Sequence, residues 1–125
     1  MNTVLWLLVA LQVKHFVCDF LLQPEYMWKN KGKLGHRGGI DHSVFHAITT
    51  YGILLYFSVP AVEAYTMFLF EAFAHYFIDY TKININRIKG WKADTHPQFW
   101  NALGLDQLLH QLTYVIILAF VHLPV

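Results

Sequence analysis

Four pairs of metal-capable side chains, His15/Asp19, His42/His46, His75/Asp79 and Asp106/His110, share an i,i+4 spacing, and each falls in a different apolar stretch of the chain. An i,i+4 step advances about 6 Å along an α-helix and only about 40° around it, so both members of a pair leave the helix from one face. A fold that accepts this pattern must bring four helical faces together, because an ionisable group left alone in apolar surroundings is strongly disfavoured. The spacing therefore predicts helices first and a shared polar interior second.

The rest of the sequence sets the surroundings of that interior. Hydrophobic residues make up 56% of the chain and charged residues 14%, more apolar content than one small soluble core requires. The pattern predicts a single domain, 1–125, folded as an all-α, integral membrane, four-helix up-down bundle with helices at about 2–22, 41–57, 60–80 and 98–122. Gln23-Pro24 ends the first, Asp41 is the expected N-cap of the second, Pro60 opens the third and Pro124 follows the fourth. The first stretch lacks a basic start and a small-x-small cleavage pattern, so it reads as a retained helix and not as a signal peptide. The competing class is a soluble four-helix protein with a greasy surface.

Eight of the nine Lys and Arg residues lie in segments 29–37 and 82–92. In an up-down bundle these two segments emerge on one side, which the positive-inside rule makes cytoplasmic, leaving both termini outside. The expected location is a bacterial inner membrane crossed several times. Alternating helix direction then brings all four polar pairs to the cytoplasmic end. Trp28, Trp91 and Trp100 fit an aromatic belt at that boundary. Charge confined to two loops gives no groove-sized basic stripe, so nucleic acid is not an expected partner. The lone Cys18 excludes an intrachain disulfide, and oligomeric state is not read from the sequence.

Imidazole and carboxylate are the ligand types of Zn²⁺, Mn²⁺ and Fe²⁺, and helical bundles build such sites from facing helices. The candidate ligands are His15, Asp19, His42, His46, His75, Asp79, Asp106 and His110, enough for one or two divalent ions. Glu71, one turn deeper on the His75/Asp79 stripe, is a candidate base or supporting group, with structural pairing to Lys14 or a glutamine as the other reading; Asp79 is the second candidate base. Arg37, Lys82 and Gln107 are candidate substrate contacts. The run from His36 to Gly39 could fold over the opening, its glycines letting backbone approach an anion. His122 falls at the far end, Glu63 near the opposite interface, and His36 and His96 in loops. A purely structural polar network and a proton pathway are the alternatives to a metal.

The ordered segments HFVCDFLLQ, GIDHSVFHA, HYFIDYTK and FWNALGLDQLLHQ resemble a family of small bacterial and phage membrane proteins, the domain of unknown function numbered 3307. The resemblance covers nearly the whole chain and rests on His15, Asp19, His46, His75, Asp79, Lys82, Asp106, Gln107 and His110. It implies a fold and a motif set but no reaction. The chain is also distantly similar to membrane-bound metal-dependent hydrolases, which place His and Asp residues in short membrane helices. The expected function is thus a membrane-embedded, metal-dependent hydrolase acting on a lipid or lipid-linked phosphate. The alternative is a non-enzymatic membrane protein: a metal or proton conductor, or a phage factor that binds or remodels a host membrane component. No nucleophile elbow, Walker loop or paired cysteine ligands occur.

Overall fold

The computed structural model describes residues 2–123, and within them the chain is all-helical. Helix α1 (Thr3–Phe16) runs into a π-helical turn (Val17–Leu21), followed by a short α2 (Glu25–Trp28) and three long helices, α3 (Arg37–Tyr56), α4 (Ala61–Lys89) and α5 (Pro97–Phe120). Pro124, expected to follow the last helix, lies outside the described residues. Helix α1 packs on α3 and α5, and α4 packs on the same two, so the four long helices close a ring of contacts.

Each helix turns an inward stripe that changes character along its length. Near one end, Leu7, Leu11, Leu54, Val59, Ala64, Tyr114 and Ile117 form a buried apolar cluster. Toward the other end, the same stripes carry His15, His42, His46, Glu71, His75, Asp79, Asp106 and His110, all buried. The outward faces are apolar: Val13, Phe16, Ile48, Phe73, Phe77, Leu112 and Val115 are each more than 40% exposed. Two helical stretches, Thr3–Leu21 and Pro97–Phe120, are long and apolar enough to cross a membrane. Helices α3 and α4 fall outside that group because they carry the densest polar load.

Local signals explain most element ends. Asn2 caps α1 by accepting from the Val4 N–H at 3.0 Å. The α3–α4 turn is a Schellman motif: Ser58 sits at φ 61°, its N–H donates to Leu55 O at 2.9 Å, and the Val59 N–H donates to Leu54 O at 3.0 Å. Gly90, at φ 67°, ends α4 where a side chain would be strained.

Three boundaries differ from the sequence expectation. Helix α3 starts four residues before Asp41, capped by His36, whose Nδ1 accepts from the Gly38 N–H at 3.0 Å. Asp41 instead accepts from Tyr26 Oη at 3.2 Å. Gly38 and Gly39 look like loop residues, yet they are helical because the preceding segment packs against their bare backbone. A Cβ on Gly38 would lie 2.3 Å from Tyr26 O, and one on Gly39 would lie 3.1 Å from the Tyr76 ring. The glycines thus admit backbone rather than an anion. Helix α4 runs to Lys89 instead of ending near Tyr80, with Asn84 Nδ2 donating to Tyr80 O at 2.8 Å and to Gly32 O at 3.0 Å. Finally, 2–22 is not one regular helix: its last turn is π, closed by the Leu22 N–H on Val17 O at 2.9 Å.

These packing contrasts set opposite signs for two glycine substitutions. Gly38→Ala must displace backbone and lowers the unfolding midpoint. Gly104→Ala sits in α5 with nothing within 4 Å of its added Cβ, so it raises helix stability by about 0.5–1 kcal/mol. Thermal unfolding of the two purified variants checks both signs, and equal shifts would contradict the packing described for Gly38.

Candidate functional site

The polar stripes meet in one cluster of imidazoles and carboxylates. Asp19 comes from the π turn, His42 and His46 from α3, His75 and Asp79 from α4, Asp106 and His110 from α5, and His15 from the last turn of α1. The π turn is what aims Asp19 two ways at once. Its Oδ2 remains 3.1 Å from His15 Nε2 one turn back, while Oδ1 crosses to α3, 2.9 Å from His42 Nε2 and 3.2 Å from His46 Nε2. Inserted turns of this kind recur at functional sites because the wider winding re-aims a side chain.

His75 occupies the middle. Its Nε2 is 3.1 Å from His42 Nε2 and 3.9 Å from Asp19 Oδ1, and its ring centroid is 3.8 Å from that of His46 and 4.2 Å from that of His110. Asp19, His42, His46 and His75 present ligand atoms all within 4.8 Å of one another; so do Asp79, Asp106 and His110, and so do His15, His75 and His110. His110 Nε2 lies 3.4 Å from Asp79 Oδ1 and 3.6 Å from Asp106 Oδ1. The eight residues singled out by spacing are therefore all brought together, His42 included.

A second layer holds the rings. Lys14 Nζ donates to Glu71 Oε1 at 2.5 Å, to His46 O at 3.1 Å and to Tyr114 Oη at 3.1 Å, and lies 3.4 Å from His46 Nδ1. Tyr114 Oη is 3.0 Å from His15 Nδ1. Glu71 is fully buried and ion-paired with Lys14, one layer below the carboxylates of the cluster. The expected pairing with Lys14 is present, and through Lys14 the carboxylate also supports His46. Gln107 bridges the rim, with Oε1 3.3 Å from His15 Nε2 and Nε2 donating to Asp106 Oδ2 at 3.1 Å.

The basic residues divide unexpectedly. Lys82 Nζ stands 3.6 Å from Asp106 Oδ2, at the cluster as expected. Arg37 does not reach it: its side chain is 88% exposed and faces Asp41 at 3.9 Å. Lys31 takes the place foreseen for Arg37, buried, with Nζ 2.8 Å from Asp79 Oδ2 and 3.6 Å from Asp19 Oδ1. Its segment is pinned on both sides. Gly32 O accepts from Asn84, Gly35 N–H donates to Tyr76 Oη at 2.8 Å, and a Cβ on Gly32 would strike Ile83 at 2.5 Å. His122 pairs with Glu63 at 3.0 Å, apart from the cluster.

The donor set suits a cation. Three aspartates face two lysines at the cluster, and Asp79 Oδ2 and Asp106 Oδ1 make no directed hydrogen bond among the described residues. Asp79 Oδ2 is near Lys31, but as an ion pair without hydrogen-bond alignment. His42 Nε2 and His75 Nε2 face each other at 3.1 Å, within reach of one N–H···N hydrogen bond or of one shared cation, and the Nδ1 atoms of both rings are buried with no hydrogen-bond partner among the described residues.

The layer beneath the cluster is testable through the buried ion pair. Glu71→Ala strands the Lys14 ammonium and costs about 3–5 kcal/mol, whereas the double replacement Lys14→Met with Glu71→Leu recovers most of that loss. Denaturant unfolding of the two proteins checks this. A single variant as stable as the double one would show that the pair is not truly desolvated.

No curated protein and no solved structure matches this chain. One family model does match, over residues 7–124, a stretch that takes in every member of the cluster. The chain belongs to the family described as "Protein of unknown function (DUF3307)".

Proposed function

We propose that this protein is a membrane-embedded, metal-dependent hydrolase whose site lies at the cytoplasmic end of a four-helix up-down bundle and acts on a lipid or lipid-linked phosphate. The carrying observation is the convergence of Asp19 Oδ1, His42 Nε2, His46 Nε2 and His75 Nε2, with separations of 2.9, 3.1, 3.2 and 3.9 Å among the measured pairs. Tetrahedral zinc with bonds of about 2.0–2.1 Å sets its ligand atoms about 3.3 Å apart, and these four separations fall around that value, with all four ligand atoms within 4.8 Å of one another. Asp79, Asp106 and His110 could hold a second, with His75 between the two groups; with one ion bound, Asp79 is instead left free to act as the base.

The distribution of polarity supports the membrane setting. Ionisable groups are inside and large apolar groups outside, the reverse of a soluble domain of this size. Helix α4 is about 44 Å long, more than the roughly 30 Å hydrocarbon thickness, so its basic last turns extend past the bilayer beside the Lys29–Lys33 segment. Basic residues at that end favour a cytoplasmic site with both termini outside.

A metal ion would lower the pKa of bound water and polarise the phosphoryl group. Water attacks phosphorus as the ester P–O bond breaks; Asp79 accepts the proton of the attacking water, and that proton then passes to the leaving oxygen. Lys31 and Lys82 offset the phosphate charge, Gln107 orients His15, and the Lys14–Glu71–Tyr114 layer fixes the His15 and His46 rings. Hydrolysis is favoured over conduction because the buried polar trail stops at Glu71 and Thr50, below which Leu7, Leu11, Leu54, Ala64 and Ile117 close the interior.

Elemental analysis of detergent-purified protein tests the reading. Metal-replete wild type carries about one or two equivalents of a divalent transition metal, and His75→Ala and Asp106→Ala, folded comparably, lose affinity by at least about tenfold. Turnover of lipid phosphates follows the metal content. A wild type free of metal, or variants that retain it fully, would dismiss the metal centre; ion flux in liposomes without turnover would favour the conductor.

A further inference from the structure

Two cavities adjoin Lys82 and differ in character. One is a groove of about 290 Å³ on the outer face between α4 and α5, walled mainly by Phe77, Ile78, Ile85, Ala102, Leu105 and Leu109 and reaching Lys82 and Asp106. The other, about 330 Å³, opens at the end of the helices and presents Gln23, Lys31, Lys82 and Asn86 beside Trp28 and Phe99. Lys82 borders both, so its side chain stands between an apolar groove on the side of the molecule and a basic vestibule at its end. Among the cavities described, this groove is the one that reaches a carboxylate of the cluster: Asp106, whose Oδ1 is buried without a hydrogen-bond partner.

We infer that the α4–α5 groove receives one hydrocarbon tail of an anionic phospholipid, whose phosphate is held between Lys31 and Lys82. The inference rests on the proposed function and specifies its substrate class and route of access. The chemistry is complementary at both ends. Six apolar side chains line a groove that faces the bilayer, and two ammonium groups stand where the tail's polar end must emerge. Lys31 already touches Asp19 and Asp79, and Lys82 touches Asp106, so a phosphate between the lysines lies beside all three cluster aspartates. A lipid reaches this position sideways, without its tail leaving the hydrocarbon.

Native mass spectrometry of the detergent-purified full chain, titrated with phosphatidic acid, phosphatidylcholine or tail-free glycerol phosphate, tests the inference. Phosphatidic acid is retained about tenfold better than phosphatidylcholine, and glycerol phosphate neither binds comparably nor displaces it. Ala102→Phe and Leu105→Trp fill the groove and reduce phosphatidic acid retention by about tenfold, whereas Ala74→Phe, on another part of the α4 surface, leaves it unchanged. Lys82→Gln removes the preference for phosphatidic acid while leaving phosphatidylcholine retention as it was. Equal retention of the two lipids, full competition by glycerol phosphate, or groove variants that behave like Ala74→Phe would overturn the lipid site. Metal content measured on the same samples separates the two readings: tail-dependent phosphatidic acid binding without metal sustains the lipid site and removes the hydrolase, and metal without lipid preference does the reverse.

Discussion

The removal of ionisable side chains from water is the constraint on which everything else in this structure depends. An isolated buried carboxylate costs several kcal/mol even after relaxation, and among the described residues three carboxylates, Glu71, Asp79 and Asp106, are buried with two lysines and five histidines, while Asp19 and Lys82 are half-buried beside them. Such a set is tolerable only as a closed network, in which each helix supplies what its neighbour lacks. The arrangement of α1, α3, α4 and α5 is that network expressed as helix packing: any one of the four polar stripes, turned by a quarter rotation, would leave charge against apolar side chains. The apolar cluster at the other end fixes the rotation and depth of each helix, and the polar end uses that alignment.

Two local devices refine the alignment. The π turn at Val17–Leu21 carries the one aspartate that serves α1 and α3 simultaneously. The glycines at 32, 38 and 39 let the segment before α3 press against α3 and α4, and this contact drives Lys31 inward. Both devices trade local backbone preference for side-chain placement. That trade is expected where a site, rather than packing alone, dictates geometry.

Much of this was legible in the sequence. The i,i+4 pairs identified all eight cluster residues, because helical period and the high cost of burying an unpaired charge leave little freedom. Lys31 was not legible, since Lys29, Lys31 and Lys33 are alike by spacing and only the packing around Gly32 tells them apart. Arg37 was misplaced for the related reason that Gly38 and Gly39 read as a loop, whereas close backbone packing makes them the first turn of α3. The extra turns of α4 were hidden by the Ile83 to Asn86 alternation, which carries no helical stripe; Asn84 supplies the missing order through hydrogen bonds to Tyr80 and Gly32. Glu71 was located correctly, but whether it serves as a base or a partner depends on the length and reach of Lys14, which spacing does not encode.

The central claim is that this network exists to hold a metal ion through histidine and aspartate. X-ray absorption spectroscopy of the zinc-loaded protein tests it most directly. The account predicts a shell of nitrogen and oxygen only, at about 2.0–2.1 Å, with the outer-sphere scattering of several imidazoles. A shell containing sulfur from Cys18, or oxygen alone without imidazole scattering, would contradict it.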